Sequence, residues 1–193
     1  KRIWIDPYTR IAGEDFIKGA APRQISLIGS WLVNEENGTI TLGFADSGMK
    51  IALFGVDKID LTDRDRVREY FHTVHHEYCH IVNQKKPYSD EFAKITPSGY
   101  TAVWNNHTDA EALQLGFISA YARANNIEDF AEMTAHMLIM GKTAWDTKIN
   151  AITSATGKEA LRKKEAFVVN YFKSEWNIDF YELQAEVQRK IQQ

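Results

Sequence analysis

The segment His76-Glu77-Tyr78-Cys79-His80 has the residue types and the spacing of a His-Glu-x-x-His zinc site. On an α-helix, residues i and i+4 lie about 40° apart around the axis and about 6 Å apart along it, so His76 and His80 can each turn one nitrogen toward a shared ion. Glu77 then lies beside the ion, where its carboxylate can accept a proton from a water whose pKa the metal lowers from about 16 to about 7. The segment therefore predicts two metal ligands and a general base.

The residues around this segment predict that it lies in the middle of a helix. Acidic residues begin the stretch at Asp63, as is favourable at a helix N-terminus. Apolar and aromatic side chains then recur at helical spacing on both sides of the motif: Val67, Tyr70, Phe71, Val74, Ile81 and Val82. A helix is the geometry that the two histidines need.

A catalytic zinc site normally has three protein ligands and one open position, so a third ligand must come from elsewhere in the chain. Two polar stripes with four-residue spacing are candidates, one on the motif helix and one on a later predicted helix: His72, His76, His80, and Glu128, Glu132, His136. If they face each other, they enclose a metal. The spacing leaves two arrangements open: Glu128 binds and Glu132 supports a ligating histidine, or Glu132 binds and His136 supports it. Acidic residues near a helix N-terminus are also favoured by the helix dipole without any metal.

Four other side chains of this region have minor assignments. Cys79, the only cysteine, is expected to pack as a small apolar residue. His72 lies one turn before His76 and is expected to hydrogen-bond Glu132 or to line the cleft, whereas His75, about 100° away, is expected at the surface or in packing. His136 is expected to be a buried, hydrogen-bonded histidine.

Composition predicts one globular domain and excludes two partner classes. The 193 residues are 44% hydrophobic and 25% charged, which suffices for one core over residues 1–193, with residues 1–23 as an irregular arm broken by Pro and Gly. A net charge of -3 offers no basic face for nucleic acid. No apolar run of about 18 residues could span a membrane. Because the chain begins at Lys1 without a signal sequence, we interpret it as a processed form that lacks its targeting segment, and we expect a monomer.

The order of predicted elements indicates an α+β fold. Strands are predicted at 24–33, 39–44 and 49–54, joined by turns at Asn37-Gly38 and Ser47-Gly48, as a small antiparallel meander packed on the motif helix. Helices are predicted at 109–122, 127–140, 158–173 and 179–191, so the second half is mainly helical. The intervening loop 85–107 is the expected rim of the cleft, although its aromatic residues could instead anchor it: Tyr88, Phe92, Tyr100 and Trp104.

The stretch from Tyr121 to Glu132 resembles the corresponding segment of the gluzincin peptidases of the anthrax lethal factor group. In that group a tyrosine stands seven residues before the metal-binding glutamate of a Glu-x-Phe-Ala-Glu sequence, which here reads Glu128-Asp-Phe-Ala-Glu132. The resemblance implies that Glu128 is the third zinc ligand and that Glu132 supports the site. It also implies that Tyr121 hydrogen-bonds the developing oxyanion, a role that suits catalysis at a metal site. Without the resemblance, a core or rim tyrosine would be the simpler interpretation.

A larger part of the chain resembles the zinc-binding metallopeptidases of Bacteroidetes. Three segments carry this resemblance: Leu42-Gly-Phe-Ala-Asp46, Phe71 to His80 with Gln84 after it, and Gly116 to Arg123 leading into Glu128-Asp-Phe-Ala-Glu132. It implies a zincin-like fold, zinc as cofactor, a peptide or protein substrate, and an extracytoplasmic outer-membrane lipoprotein linked to glycan uptake. The lipid anchor would lie outside this chain.

Two functions follow as hypotheses. In the first, the protein is a zinc peptidase with ligands His76, His80 and Glu128, base Glu77, oxyanion donor Tyr121, and an extended substrate paired with strand 39–44 or 49–54. In the second, it is a non-catalytic accessory or binding component of an outer-membrane uptake system, and zinc only stabilises the fold. A closed site with a fourth protein ligand, such as Cys79, His72 or Tyr121, would indicate the second.

Overall fold

A computed structural model describes all 193 residues. The strands are β1 Gln24–Ile28, β2 Leu32–Val33, β3 Ile40–Thr41, β4 Gly43–Asp46 and β5 Lys50–Phe54. The helices are α1 Ile5–Ala12, α2 Glu14–Ala20, α3 Arg64–Lys85, α4 Asp109–Gln114, α5 Asn126–Asn150, α6 Ala155–Trp176 and α7 Phe180–Ile191. A small sheet precedes the motif helix α3 and a mainly helical half follows it, so the predicted α+β, zincin-like class is confirmed.

The sheet differs from the predicted antiparallel meander. Its strand order is β1-β5-β4, with β5 antiparallel to β4 but parallel to β1, and β2 and β3 form a separate antiparallel pair. The predicted strand 24–33 breaks after Ile28, and its second part turns away to pair with β3 across the predicted Asn37-Gly38 turn. Strand β5 lies between β1 and β4. Its residues Ile51, Ala52 and Leu53 are buried, as is expected of a central strand.

The N-terminal arm is not irregular, so that prediction is wrong for residues 5–20, which form α1 and α2. Pro7 lies in the first turn of α1, where the missing N–H costs no helical hydrogen bond, and Gly13 separates the two helices instead of preventing them. The arm packs on the back of α3, where the Tyr8 and Tyr78 rings meet edge to face with centroids 5.0 Å apart. It thereby buries the side of the motif helix opposite to the predicted stripe.

Helices α3 and α5 are the longest elements on either side of the predicted site, and both begin at a side-chain cap. The Asp63 carboxylate accepts hydrogen bonds from the N–H groups of Asp65 and Arg66. The Asn125 side chain accepts bonds from Ile127 and Glu128. Each cap satisfies backbone donors that the first turn leaves free, so the start of each helix is fixed. The prediction of α3 as one continuous helix is confirmed.

The other helix predictions are confirmed with one exception. Helices α6 and α7 lie where predicted, and α5 continues beyond its predicted end at Met140 after a break at Gly141. The predicted helix 109–122 is wrong beyond Gln114, because Gly116 has a φ of 87° and ends it. Residues 117–120 are then an irregular buried segment, and Tyr121–Arg123 form a 3₁₀ turn.

One cluster of 34 buried hydrophobic residues runs from Ile3 to Ile191 and includes residues of the arm, the sheet and the helices. The prediction of a single domain is in keeping with this core and stays a prediction. No helix is both long enough and apolar enough to cross a lipid bilayer.

Candidate metal centre

Helices α3 and α5 run side by side and present their polar stripes to each other as three pairs. His80 Nε2 lies 3.3 Å from a carboxylate oxygen of Glu128. One turn along, His76 Nδ1 lies 2.9 Å from Glu132. One turn further, the rings of His72 and His136 lie 4.4 Å apart between centroids. The facing stripes predicted from four-residue spacing are therefore present.

Three of the predicted ligand atoms form a compact triangle. Glu128 Oε2 lies 2.9 Å from His76 Nε2 and 3.3 Å from His80 Nε2, and the two nitrogens are 3.1 Å apart. A tetrahedral zinc with bonds of about 2.0–2.2 Å holds its ligand atoms about 3.3–3.6 Å apart, so the triangle needs only a small expansion. Two imidazoles and one carboxylate are also a donor set found at catalytic zinc sites. The residues present therefore fit zinc.

Glu132 lies on the opposite side of the His76 ring from this triangle. Its Oε1 accepts the hydrogen bond of His76 Nδ1 at 2.9 Å, and its Oε2 accepts one from the Ser119 hydroxyl at 2.5 Å. A carboxylate bonded to the outer nitrogen fixes the ring orientation and leaves Nε2 free for a metal. Of the two arrangements that spacing left open, the geometry favours Glu128 as the ligand and Glu132 as the group that supports His76.

Ser119 is a site residue that the sequence did not reveal. It lies in the segment after Gly116 that was predicted to be helical, and its hydroxyl also accepts the N–H of Ala122 at 3.1 Å. Lys164 of α6 holds this segment, because its buried ammonium donates to the Gly116 carbonyl at 2.8 Å and pairs with Asp129 at 2.7 Å. Only contacts between distant parts of the chain bring Ser119 to Glu132.

The electrostatics of the site set the charge on each carboxyl group. Burial raises the pKa of Glu128, but the adjacent imidazoles of His76 and His80 outweigh burial and hold it well below the usual range. Burial lowers the pKa of His76, yet its hydrogen bonds to Glu128 and Glu132 raise it to about 10. For Glu77, burial has the largest effect, and its pKa is raised. Glu128 is thus kept as an anion, whereas Glu77 is the carboxyl group that protonates more readily, as a group that takes up and gives back a proton should.

Glu77 lies against the start of strand β4. A methyl group added at Gly43 would lie 2.8 Å from Glu77 Cγ and 3.0 Å from its Oε1, so only glycine lets the strand approach this closely. The carboxylate is 5% exposed and borders a cleft lined by residues 39–43 of the sheet side and by His72, Thr73, His76, Trp104, Tyr121 and Glu132. The predicted base therefore faces open space beside the metal triangle.

Tyr121 lies in the same cleft, where its 3₁₀ turn precedes α5. Its ring is 5.8 Å from the His76 ring and packs edge to face with Trp104 at 4.8 Å. Burial and the nearby Glu128 carboxylate raise the pKa of its hydroxyl. The phenol therefore keeps its proton and is available as a hydrogen-bond donor.

The loop 85–107 divides between the two roles that its sequence left open. Tyr88 stacks on Phe130 with centroids 4.2 Å apart, Phe92 is fully buried, and the Tyr100 hydroxyl donates to Asp129 at 2.9 Å. These three residues anchor the loop to α5. Trp104 alone among the four aromatic residues lines the cleft.

Cys79, His75 and His72 follow their minor assignments, whereas His136 does not. Cys79 is buried, which raises the pKa of its thiol to about 12, and it lies outside the metal triangle, so the prediction that it packs is confirmed. His75 is fully buried, with Nε2 3.2 Å from the Ile3 carbonyl. His72 lies 3.5 Å from Glu132 and lines the cleft. The expectation of a buried His136 is wrong, because 23% of its side chain is exposed, with Nε2 3.4 Å from Glu132.

Comparisons with known proteins also indicate zinc binding. The model of a family described as "Putative zinc-binding metallo-peptidase" matches residues 1–181. A crystal structure of a putative zinc-binding metallo-peptidase from Bacteroides caccae ATCC 43185 is 32% identical with a TM-score of 0.80, over 99% of this chain and 73% of that one. No curated protein matches. Both descriptions name zinc, and the prediction of zinc as the cofactor is confirmed at that level.

Proposed function

This chain belongs to the putative zinc-binding metallo-peptidase family, and from that premise we propose that it hydrolyses peptide bonds at a zinc ion held by His76, His80 and Glu128. The observation that carries the proposal is the triangle of ligand atoms with 2.9–3.3 Å edges, next to a carboxylate, Glu77, that borders an open cleft. Such an arrangement combines the ligands and the base that hydrolysis needs.

Zinc, when bound, lowers the pKa of a coordinated water to about 7 and polarises the carbonyl group of the bond to be cleaved. Glu77 accepts the proton of the attacking water and later donates it to the leaving amine. This is general base and then general acid catalysis by one carboxyl group, which its raised pKa favours. Tyr121 donates its phenol hydrogen bond to the oxygen on which negative charge develops. Glu132 and Ser119 keep the His76 ring in place.

The substrate is an extended peptide segment that lies along residues 39–43. These residues line the cleft, and strand β4, which begins at Gly43, is an edge strand of the three-stranded sheet. Strand β5 pairs with β1 and β4 on both sides, so it has no free edge and the alternative of pairing with strand 49–54 is wrong. Main-chain hydrogen bonds to an edge strand bind peptides without regard to side-chain identity. Trp104 and Tyr121 of the opposite wall then contact the substrate side chains.

The competing function, a zinc-stabilised accessory or binding component of an uptake system, requires a fourth protein ligand. Cys79 does not belong to the cluster, and His72 belongs to a different one on the far side of His76. Tyr121 is the one remaining candidate, and the proposal assigns its phenol to the substrate oxygen in the cleft that it lines. These features support an open site and hence hydrolysis.

The proposed location and peptidase type rest on the resemblance alone: an extracytoplasmic outer-membrane lipoprotein of the gluzincin type that acts on a peptide or protein. The proposed monomer is a separate expectation. Fractionation of cell envelopes and light scattering of the purified chain test these two properties.

The direct test of the proposed reaction is Glu77→Gln. We expect the zinc-loaded variant to cleave no member of a peptide library that the wild type cleaves, while it binds zinc in equal amount, because Glu77 is a base and not a ligand. Glu69→Gln is the matched control, since Glu69 is an exposed acid on the same helix, with 73% of its side chain accessible. Activity in Glu77→Gln that exceeds a metal-free blank would refute the assignment of the base.

A further inference from the structure

A second cluster of metal-binding side chains lies one helical turn from the first. His72 Nε2 is 3.5 Å from Glu132 Oε1, His136 Nε2 is 3.4 Å from Glu132 Oε2, and all three ligand atoms of the cluster lie within 4.8 Å of one another. The His72 nitrogen is shielded from solvent and has no hydrogen-bond partner. A buried polar atom without a partner costs free energy. The His72 nitrogen therefore indicates a missing partner, either a metal ion that takes its lone pair or a group that accepts its proton.

The donor set of this cluster indicates the kind of ion. Two imidazoles and one carboxylate are the ligands of catalytic zinc sites, whereas calcium and magnesium prefer oxygen ligands. Both oxygens of Glu132 are already acceptors, from His76 and Ser119, but each carboxylate oxygen has a second lone pair. We propose that His72, Glu132 and His136 form a second, weaker zinc site.

Two features make this site weaker than the first. His72 and His136 approach different oxygens of Glu132, Oε1 at 3.5 Å and Oε2 at 3.4 Å, whereas in the first site the single oxygen Oε2 of Glu128 lies within 3.3 Å of both histidine nitrogens. Glu132 must also bind the ion while it keeps its hydrogen bonds to His76 and Ser119. We therefore expect a dissociation constant at least about tenfold above that of the first site, a difference of about 1.4 kcal/mol.

Occupancy of the second site has a consequence for the first. A cation on Glu132 draws charge from the carboxylate that supports His76, and it lies at the wall of the same cleft, which His72 and Glu132 line. Zinc in excess of one equivalent therefore slows hydrolysis. This consequence rests on the proposed function, whereas the existence of the site does not.

Zinc binding to the full chain tests the proposal without any activity measurement. Isothermal titration with zinc alone, checked by metal analysis after dialysis, should give two ions per wild-type chain. His136→Gln and His72→Gln should each lose the weaker event and keep the stronger one. His107→Gln is the matched control, because His107 is a loop histidine 3.9 Å from the exposed Glu111, and it should keep both.

One zinc ion per folded wild-type chain at saturation would overturn the proposal, as would a second event that survives in both variants or disappears in His107→Gln. Circular dichroism melting shows which variants fold. Zinc-edge anomalous diffraction of wild-type crystals in excess zinc needs no variant and should give a peak between His72 and His136. If no peptide is cleaved by any form, the proposed hydrolysis fails while the stoichiometry still decides the second site.

Discussion

Glu77, Glu128 and Glu132 all belong to the candidate site, and their surroundings give them different roles. Glu128 contacts Nε2 of both His76 and His80, and Glu132 contacts Nδ1 of His76. Glu77 forms no ion pair with either histidine. Removal of a ligand breaks a metal–oxygen bond, whereas removal of Glu132 only allows the His76 ring to rotate. Replacement by glutamine should therefore have a different effect at each of the three positions.

We predict that Glu128→Gln weakens zinc binding by more than about 100-fold, whereas Glu132→Gln weakens it by about 10- to 100-fold, the range for groups that support a ligand. Competition with a chelator of known affinity measures both values. The opposite order would show that Glu132 is the ligand, the arrangement that the spacing also allowed.

Among the individual site residues, the sequence predicts those whose roles follow from spacing along one helix. His76, Glu77 and His80 follow from local spacing, and the facing stripes follow from two such spacings. Ser119 and Gly43 do not follow, because their importance comes from contacts with Glu132 and Glu77, which lie 13 and 34 residues away. A serine and a glycine carry no signal of their own that could reveal such a partner.

Among the elements, the close approach of strand β4 to helix α3 forms one wall of the cleft. Gly43 permits it, since any larger residue places a carbon 2.8 Å from the Glu77 side chain. The Glu77 carboxylate is the group that would have to move. A shift of the base by about 1 Å can reduce the rate on the order of 100-fold.

We therefore predict that Gly43→Ala lowers kcat about 100-fold with little change in zinc affinity. Gly19→Ala is the control, because no atom lies within 4 Å of the added methyl group. Peptide cleavage and chelator competition on the same preparations separate the two quantities. Equal activity of both variants would mean that Glu77 tolerates the displacement.

The helices behind the site are joined by a carboxylate whose ionisation affects stability. Glu165 of α6 accepts hydrogen bonds from Arg162 at 2.6 Å and from Tyr181 of α7 at 2.9 Å, and only 6% of its side chain is exposed. Burial raises its pKa, but these partners outweigh burial and lower it below the usual value. An acid with a depressed pKa in the folded state stabilises above its unfolded pKa, about 4.3, and loses that contribution as the pH falls below it.

We predict that Glu165→Gln lowers the free energy of unfolding by about 2 kcal/mol at pH 7, the contribution of hydrogen bonds to a charged group. The difference from the wild type should shrink as the pH falls below about 4.3. Urea unfolding at several pH values measures it. Glu159→Gln, an exposed acid on the same helix, should change little at any pH. A pH-independent difference for Glu165→Gln would contradict the role of its charge.

Helices and hairpins are predicted correctly where the sequence pattern that specifies them is local. The acidic start at Asp63 locates α3, apolar periodicity locates α3 and α5, and the turns after β2 and β4 locate the hairpins. The parallel pairing of β1 with β5 could not be predicted, because it depends on which strand takes the buried central position. The helices of the arm were missed since Pro7 and Gly13 were interpreted as breakers and not as helix boundaries.

For the whole molecule, the fold brings together two helices from different halves of the chain and closes one side of them with a sheet. A cleft lies between residues 39–43 and the wall formed by Trp104 and Tyr121. The similar Bacteroides structure is longer, since this chain covers 73% of it.

The central claim is an open zinc site at which Glu77 faces the substrate. It is tested most directly by zinc-edge anomalous diffraction of crystals grown with one equivalent of zinc. We predict a single zinc bonded to His76 Nε2, His80 Nε2 and Glu128 at about 2.0–2.2 Å, with one position free of protein atoms and directed toward Glu77 and the cleft. A fourth protein ligand at that position, or Glu132 in place of Glu128, would contradict it.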